Sequence, residues 1–417
     1  MKITKSVAAI LALLTLGSVS QAETIYITGS TAFRKSAIAG IQALLGAAPN
    51  STATAQSNGT LTSANAVNWI GKTYNGHTVN IQVSFFGSVG GIQTVSNSVA
   101  WPFLKPELTG TQSLDPTTST LDPNGVLAVP EIAFSDTYQS STPFTTNTLA
   151  NDVVVGVVPF QWVASNGTPT GLSFSPQIAN ALFTAGNTPL ALLTGSVTDR
   201  TTLMANSNIK GVVTHNAHPA QLFAIGRDAD SGTRLTAFAE SGIGVNAVVV
   251  QYKATVSGTT IASHIVYPGN TINGIYYDDG NIGYNGGGTV AGIMRDTTID
   301  ALGGYYVTYL GKSDATTALS GTIGTAAVAL KWNGVDYWNG TTFNDTAVTE
   351  GQYTFWGYEH VIYGSLTGDA AVFAPALAAA IKGTSVSDGT ASQAGISIYA
   401  MHVTRPGDGA QIAPSYK

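Results

Sequence analysis

Apolar positions recur along this chain with two different periods, which predicts both helices and strands. Between residues 33 and 45 they fall on one face of a helix, and Gly46 follows where a left-handed glycine would end it. Residues 176–185 and 370–381 show the pattern of further short helices. The run 153–158 is instead almost continuously apolar, which is typical of a strand buried on both faces. The pattern as a whole predicts an α/β fold.

Three short turns rich in Gly, Ser and Thr each join a strand pattern to a helix pattern. They are Gly29-Ser30-Thr31-Ala32-Phe33, Gly87-Ser88-Val89-Gly90-Gly91 and Asp230-Ser231-Gly232-Thr233. A helix N-terminus leaves backbone N–H groups unpaired and carries about half a positive charge, so it favours an anion. Arg227 lies just ahead of the third turn. Together these features predict a site for a small oxyanion.

The first 22 residues have the pattern of an export signal. Lys2 and Lys5 give a positive start, residues 7–16 are apolar, and residues 20–22 have the small-x-small pattern of a cleavage site. Cleavage after Ala22 would leave 395 residues, enough for two domains. The mature protein is therefore expected in the periplasm or outside the cell, with no membrane insertion once the signal is removed.

Composition narrows the range of partners. The net charge of −6 becomes −8 once Lys2 and Lys5 are removed, and the chain contains no basic run. This argues against nucleic acids and anionic membranes as partners, whereas a closed site with local dipoles can still bind an anion. The chain has no Cys, which excludes disulfides and a lipid anchor on cysteine, and no later apolar run is long enough to span a membrane.

No pattern of catalytic or metal-binding residues stands out. The chain has no Gly-x-Ser-x-Gly motif, and no His lies at a spacing that ties it to a Ser nucleophile. His215 and His218 are three residues apart but have no carboxylate nearby at ligand spacing. We therefore predict no enzyme activity, no metal and no cofactor. Stretches rich in Thr, Gly, Asn and Ser, such as residues 257–288 and 313–349, are expected to be surface loops or β-excursions.

The three turns and several later segments, taken in order, resemble the PstS-like phosphate-binding proteins of ABC transporters, a group of type II periplasmic binding proteins. Four features of the family have counterparts here: its Gly-rich first turn, its Gly-Ser-Ser-Gly-Gly turn, a strand end running from Phe to Asp, and its Arg-x-x-x-Ser-Gly-Thr signature. In order, these four counterparts are residues 29–33, 87–91, 134–136 and 227–233. Two later segments also resemble the family: residues 301–305 resemble its Gly-Tyr strand, and residues 353–359 resemble its return to the first lobe.

The resemblance implies a two-lobed fold with two crossover segments and the ligand cleft between the lobes. After a signal peptide at 1–22, the first lobe would comprise residues 23–155 and a return segment at 353–417, and the second lobe residues 156–352. The implied function is that of an exported protein that captures a small oxyanion, above all inorganic phosphate, and passes it to an ABC transporter permease.

The resemblance also implies which residues hold the anion. Backbone and hydroxyl donors would come from the three turns, at Thr31, Ala32, Phe33, Ser88, Ser231, Gly232 and Thr233. Arg227 would form a fork to two oxygens. Asp136 would accept a hydrogen bond from the proton that phosphate carries and sulfate lacks. The family has a Thr at position 32, where this chain has Ala, and Thr31 is the candidate to replace that hydroxyl.

The same residues have ordinary structural interpretations. Ser231 would cap a helix, Arg227 would be a solvated charge at a strand end, and Asp136 would begin a loop. Arg34 and Lys35, in a first helical turn where cations oppose the dipole, are expected to lie on a solvated face. The alternative function is that of an extracellular surface or structural protein that retains the binding-protein fold with a degenerate site. The low content of charged residues and the missing donors favour this alternative.

Overall fold

The structure is a computed structural model that describes residues 22–54, 61, 64–114, 122–168, 170–190, 214–215, 218–219, 221–296, 304–321, 326–382 and 395–415. The predicted signal peptide, apart from its last position, lies outside the described residues, and so do residues 301–303 of the segment that resembles the family's Gly-Tyr strand. In the described part of the chain no helix is long and apolar enough to cross a membrane.

Helices form mainly where apolar residues recur with helical spacing. In chain order they are α1 (Arg34–Leu45), α2 (Ser88–Ser96), α3 (Pro176–Ala185), α4 (Gly232–Glu240), α5 (Gly287–Asp296), α6 (Lys312–Leu319), α7 (Asp345–Thr349) and α8 (Gly368–Ala380). Gly46 ends α1 with a φ of 58°, as expected of a left-handed glycine at that position. The helices predicted at α1, α3 and α8 are confirmed.

Two helices were not expected, because α7 and all but the first residue of α6 lie within residues 313–349. The expectation of loop or β-structure there is wrong over both helices, and α6 is the longer of the two. Ala315, Ala318 and Leu319 form a buried face on this helix. The Thr- and Ser-rich composition of the segment hides that face in the sequence.

The strands are β1 (Glu23–Gly29), β2 (Ser51–Thr54), β3 (Ala66–Tyr74), β4 (His77–Phe85), β5 (Trp101–Leu104), β6 (Gly110–Ser113), β7 (Gly125–Ala128), β8 (Ile132–Ser135), β9 (Asn151–Ala164), β10 (Ser173–Phe174), β11 (Asn187–Pro189), β12 (Thr214–His215), β13 (His218–Pro219), β14 (Gln221–Ala224), β15 (Tyr252–Ser257), β16 (Thr260–Val266), β17 (Asn270–Ile272), β18 (Ile275–Tyr277), β19 (Gly304–Gly311), β20 (Val328–Ala329), β21 (Lys331–Trp332), β22 (Trp356–Tyr363), β23 (Val403–Thr404) and β24 (Ala413–Pro414). Twelve of them form one sheet in the order β11-β14-β19-β9-β22-β8-β1-β4-β3-β2-β6, with β20 beside β9. The sheet contains both parallel and antiparallel pairs and is interleaved with helices along the chain, so the predicted α/β class is confirmed.

Two central strands connect the two ends of this sheet. β9 pairs with β22 along its first part and with β19 and β20 along its last part. β22 also pairs with β8 and therefore separates β8 from β9. The segments that follow β1, β4 and β8 lie toward one end of the sheet, and those that follow β14 and β19 lie toward the other. β9 and β22 are therefore our candidates for the two crossover segments.

Aromatic side chains fill the core where β9 passes between the two ends of the sheet. The Trp162 ring stacks on Phe355, with 5.2 Å between ring centroids and 11° between ring planes, and on Trp332 at 6.0 Å and 24°. Tyr309 of β19 meets Trp162 edge-on at 5.7 Å. All four rings are buried. Such ring pairs add to the stability gained from burial alone and fix the relative position of the strands that carry them.

β1 ends in a turn that only glycine allows. Gly29 has a φ of 118°, and a Cβ atom there would overlap the backbone of Phe134 in β8. The amide N–H of Ser30 donates to the carbonyl of Phe134 over 2.8 Å. This close approach brings the start of α1 beside the end of β8, where Asp136 follows.

Candidate anion-binding site

Asp136 is the point at which three distant segments meet. It follows β8 directly and is 1 % exposed. The Ser88 hydroxyl, at the start of α2, donates to Asp136 Oδ1, and the Thr233 hydroxyl, in the first turn of α4, donates to Oδ2 over 2.8 Å. Thr236 donates to the Asp136 carbonyl over 2.7 Å. The structure therefore brings together residues from the second and third Gly/Ser/Thr turns around one buried carboxyl group.

Gly232 packs closely against Asp136 and Ser88. A Cβ atom on Gly232 would overlap Asp136 Oδ1 and would lie 2.6 Å from Ser88 Oγ. Ser231 caps α4, because its Oγ accepts from the amide N–H of Arg234 over 3.3 Å. The N-cap interpretation of Ser231 is confirmed, and a hydroxyl that accepts one hydrogen bond can still donate another.

Burial raises the pKa of the Asp136 carboxyl group, while hydrogen bonds from Ser88 and Thr233 and the charge of Arg227 oppose that shift. The charge of Asp136 also acts on the carboxyl group of Glu359 in β22. Burial, and secondly Asp136, raise the pKa of Glu359 well above its usual range, and in the described residues neither of its carboxylate oxygens has a hydrogen-bond partner. Glu359 is therefore a second buried carboxyl group beside Asp136 whose charged form burial disfavours, a neighbour that the sequence did not point to.

Arg227 is buried, with 3 % exposure, and carbonyl oxygens hold it. Its Nε donates to the Tyr284 carbonyl over 3.2 Å and its Nη2 to the Asn285 carbonyl over 2.9 Å. In the part of the chain that the structure describes, no carboxylate lies within 4.0 Å of this guanidinium group. The expectation of a solvated strand-end charge is wrong for Arg227. A positive charge in such surroundings favours an anionic partner.

Arg34 lies near Arg227, contrary to the expectation of a solvated face. Its Nη1 donates to Asn65 Oδ1 over 2.6 Å, and its side chain is partly buried. Burial lowers the pKa of Arg34, Arg227 lowers it further, and Asp314 opposes the shift. Arg34 is therefore a second guanidinium close to the candidate site. Residue types alone do not reveal this, because the direction in which the first turn of α1 faces is set by tertiary packing.

Asp314 and Arg227 both reach Gly287 at the start of α5. A Cβ atom on Gly287 would overlap the Asp314 carboxylate and would lie 3.4 Å from Arg227 Nη1. Asp314 itself lies in the first turn of α6, at a position where a carboxylate stabilises the helix dipole. The cations near the site thus share one acidic neighbour that sequence reasoning missed.

In the first turn, residues 29–33, two of the predicted anion donors already have a hydrogen-bond partner within the turn. The amide N–H groups of Ala32 and Phe33 donate to Ser30 Oγ, over 3.2 Å and 3.4 Å. Thr31 is partly buried in the same turn. The Ala32 methyl group lies 3.7 Å from where a Cβ atom would stand on Gly311, just before α6. This turn therefore faces the region of the site, while a neighbouring hydroxyl already bonds two of its predicted donors.

Asp230 occupies the N-terminus of α2, which was expected to hold the anion. Its backbone carbonyl accepts from the amide N–H of Val89 over 3.1 Å, and its carboxylate accepts from the Gly90 backbone and from Asn273 Nδ2, the latter over 2.6 Å. Burial, followed by the charge of Asp228, raises the pKa of Asp230. The protein's own carboxylate therefore uses the helix N-terminus that the second turn provides.

Comparisons with known proteins identify similar folds only. No protein-family model matches the sequence, and no curated protein matches it either. Thirteen or more chains of solved structures match. A phosphate ABC transporter substrate-binding protein from Clostridium perfringens, solved with bound phosphate, is 12 % identical, with 90 % of this chain and 100 % of that chain covered and a TM-score of 0.46.

Two further solved structures match this chain at similarly low identity. An ABC-type phosphate transport receptor from Vibrio cholerae is 10 % identical, with 87 % of this chain and 94 % of that chain covered and a TM-score of 0.43. The periplasmic phosphate-binding protein PfluDING is 13 % identical, with 90 % of each chain covered and a TM-score of 0.43. All three identities are low, and the ligand of this chain is inferred below from its own site.

Proposed function

We propose that this protein is an exported binding protein that captures a small oxyanion, above all inorganic phosphate, for uptake by an ABC transporter. The observation that carries the proposal is the buried guanidinium of Arg227, which carbonyl oxygens hold and which has no carboxylate within 4.0 Å among the described residues. Burying a charge without a directly paired carboxylate is costly, and a guanidinium fork fits two oxygens of one anion. Arg34 adds a second positive charge nearby.

Asp136 supports phosphate over sulfate as the ligand. A carboxylate accepts a hydrogen bond from the proton that phosphate still carries at neutral pH, whereas sulfate offers only negative oxygens. In the structure the hydroxyls of Ser88 and Thr233 donate to Asp136, and a bound phosphate would compete for both. Hydroxyl groups rotate at little cost, so each can turn from Asp136 to the anion.

The binding movement that we propose is the closure of two lobes around the anion. The lobes are residues 23–155 with 353–417, and residues 156–352. Ser88 and Asp136 belong to the first lobe, and Arg227 with the start of α4 to the second. A ligand that contacts both lobes favours the closed state by its difference in affinity between the two states.

A surface or structural protein with a degenerate site is the second candidate. It is favoured by the internal hydrogen bonds at two of the three turns, since Ser30 accepts from the Ala32 and Phe33 amides and Asp230 occupies the start of α2. On this alternative the contacts hold the fold together and no anion enters.

Titration of the purified protein with phosphate and with sulfate tests the proposal. The protein is first unfolded and refolded to remove carried-over ligand, and calorimetry gives both dissociation constants. We expect micromolar or tighter binding of phosphate, because charge-assisted hydrogen bonds contribute about 1.5–3 kcal/mol each. Sulfate is expected to bind at least about a hundredfold more weakly. If neither anion binds, the degenerate-site alternative takes precedence.

Asp136→Asn is expected to narrow the difference between phosphate and sulfate affinity by at least about tenfold. The amide keeps the shape of the side chain but can donate to sulfate, so the acceptor that selects phosphate is lost. Asp278→Asn, at an exposed carboxylate, is the matched control. An unchanged ratio of the two dissociation constants in Asp136→Asn would show that another group selects the anion.

Arg34→Gln is expected to weaken phosphate binding about three- to tenfold, because one positive charge near the anion is removed. The same titration in about 1 M salt, where charges separated by more than about 3 Å are screened, should reduce the difference from wild type. A salt-independent loss of affinity would instead point to a packing change around Asn65, the hydrogen-bond partner of Arg34.

A further inference from the structure

The C-terminal segment 404–409 contacts both parts of the chain that form the candidate site. Asp408 Oδ2 accepts three hydrogen bonds from the turn that follows Asp136. The donors are the Thr137 hydroxyl (2.6 Å), the Tyr138 amide N–H (2.9 Å) and the Ser141 hydroxyl (2.7 Å). Because Thr137 is the next residue after Asp136, these bonds fix the backbone from which the Asp136 side chain projects.

The same segment holds the C-terminal end of α4. Arg405 forms an ion pair with Glu240, the last residue of α4, and their side chains are only 1 % and 8 % exposed. The amide N–H of Gly409 donates to the same carboxylate oxygen over 2.8 Å. Gly409 has a φ of 72°, and a Cβ atom there would lie 2.7 Å from the Ala239 carbonyl oxygen, so this close approach requires glycine.

Arg405 is anchored in turn on the central strand. Its guanidinium carbon lies 3.7 Å from the centre of the Trp356 ring, and its Nη2 donates to the Thr354 carbonyl over 2.8 Å. Its amide N–H donates to the Tyr358 hydroxyl over 3.2 Å. A guanidinium group held by a ring, a carbonyl and a carboxylate has little freedom to move. The end of α4 is therefore fixed relative to β22.

We propose that residues 404–409 form a clamp that sets the geometry of the anion site. Asp408 positions Asp136 through the adjoining turn, and Arg405 with Glu240 positions residues 231–233 through α4. The proposal rests on the proposed function, since it assigns positioning residues to that site. α4 has nine residues and is about 13 Å long, with the anion donors at one end and Glu240 at the other. The clamp holds the C-terminal end of α4, and the hydroxyls of Thr233 and Thr236 hold its first two turns against Asp136.

The clamp also makes the geometry of the anion site depend on pH. Burial raises the pKa of Glu240 to about 7, with Arg405 and the Gly409 N–H opposing the shift and Asp408 adding to it. The charged groups that face Glu240 are therefore Arg405 and Asp408. Above about pH 7 Glu240 is ionised and its ion pair with Arg405 is complete. As the pH falls through 7 the carboxylate takes up a proton, and the ion pair is lost.

Three variants of the full chain test the clamp. Asp408→Asn and Glu240→Gln each remove one of its contacts. Glu350→Gln is the matched control, because Glu350 pairs over 2.8 Å with His402, two residues before the clamp, and among the described residues forms no hydrogen bond or ion pair with α4 or with the turn after Asp136. Hydrogen exchange is expected to speed up about tenfold at the α4 amides in Glu240→Gln and at the amides of residues 137–141 in Asp408→Asn, and to stay at the wild-type rate in the control. The two clamp variants should also bind phosphate at least threefold more weakly.

The pH dependence separates a positioning role from general stabilisation. Phosphate changes its own protonation near neutral pH, so the quantity compared is the ratio of the phosphate dissociation constants of Glu240→Gln and wild type at each pH. At pH 5.5 Glu240 is protonated in the wild type, and the ratio should lie within a factor of two of one. At pH 8.5 the wild-type ion pair is complete, and the ratio should exceed three.

A ratio that does not vary with pH would overturn the regulatory part of the proposal. Unchanged exchange of α4 in Glu240→Gln and of residues 137–141 in Asp408→Asn, or an equal effect in Glu350→Gln, would overturn the clamp itself. If the wild type binds no phosphate at all, the proposed function fails, while the exchange rates of α4 and of residues 137–141 still decide whether the clamp exists.

Discussion

Replacement of Arg227 by glutamine is expected to abolish phosphate binding in practice, with a loss of affinity of at least about a hundredfold. Arg227 would supply two charge-assisted hydrogen bonds, each worth about 1.5–3 kcal/mol, and about 1.4 kcal/mol corresponds to a factor of ten. Glutamine keeps a donor but loses the charge and the fork. Calorimetric titration with phosphate measures the loss.

The control for this experiment is Arg295→Gln, which removes an arginine on α5 that pairs at the surface with its neighbour Asp296. It should bind phosphate as the wild type does. Phosphate binding by Arg227→Gln within tenfold of wild type would contradict the assignment of Arg227 to the site.

Gly232→Ala is expected to lower the free energy of unfolding by about 1–2 kcal/mol and to weaken phosphate binding more than tenfold. Two effects oppose each other at this position. Alanine is better than glycine in a helix by about 0.5–1 kcal/mol, whereas overpacking of a tight core costs about 1–3 kcal/mol. The overlap of the new methyl group with the Asp136 carboxylate and Ser88 decides the sign. Denaturant unfolding and calorimetry give the two quantities.

Gly292→Ala in α5 is the matched substitution without the overlap. The nearest atom to a Cβ on Gly292 is Asp296 Oδ2 at 4.0 Å, so this variant should gain stability from helix propensity and bind phosphate normally. If Gly232→Ala were as stable as Gly292→Ala and bound phosphate equally well, the close contact of Gly232 with Asp136 would be wrong.

The local features of the fold were predictable because their causes act over a few residues. Helix periodicity and the glycine that ends α1 depend only on neighbouring positions. The grouping of Ser88, Asp136 and Thr233 was also expected, although through a resemblance to a family and not through the physics of the residues. The structure adds the reason for it, since α2, which follows β4, and α4 both begin at the buried carboxyl group that follows β8.

The remaining features depend on contacts between distant parts of the chain. Asp230 lies about 140 positions from the helix N-terminus that it occupies, and nothing near either segment predicts the contact. Arg34 has the same sequence signature as a solvated first-turn cation, and only the packing of α1 turns it toward Arg227. The segment 404–409 is short and has no periodic pattern, so its role as a clamp is visible only from its partners.

The central position of β22 affects how the chain is made. β22 spans Trp356–Tyr363 and lies between β8 and β9, two strands that only 15 residues of chain connect. A nascent chain that stops before β22 presents the edges of β8 and β9 without their shared partner, and exposed edges pair readily with other chains. Fragments that end before residue 363 are therefore expected to aggregate. β22 can take its place between β8 and β9 only when nearly nine-tenths of the protein has been synthesised.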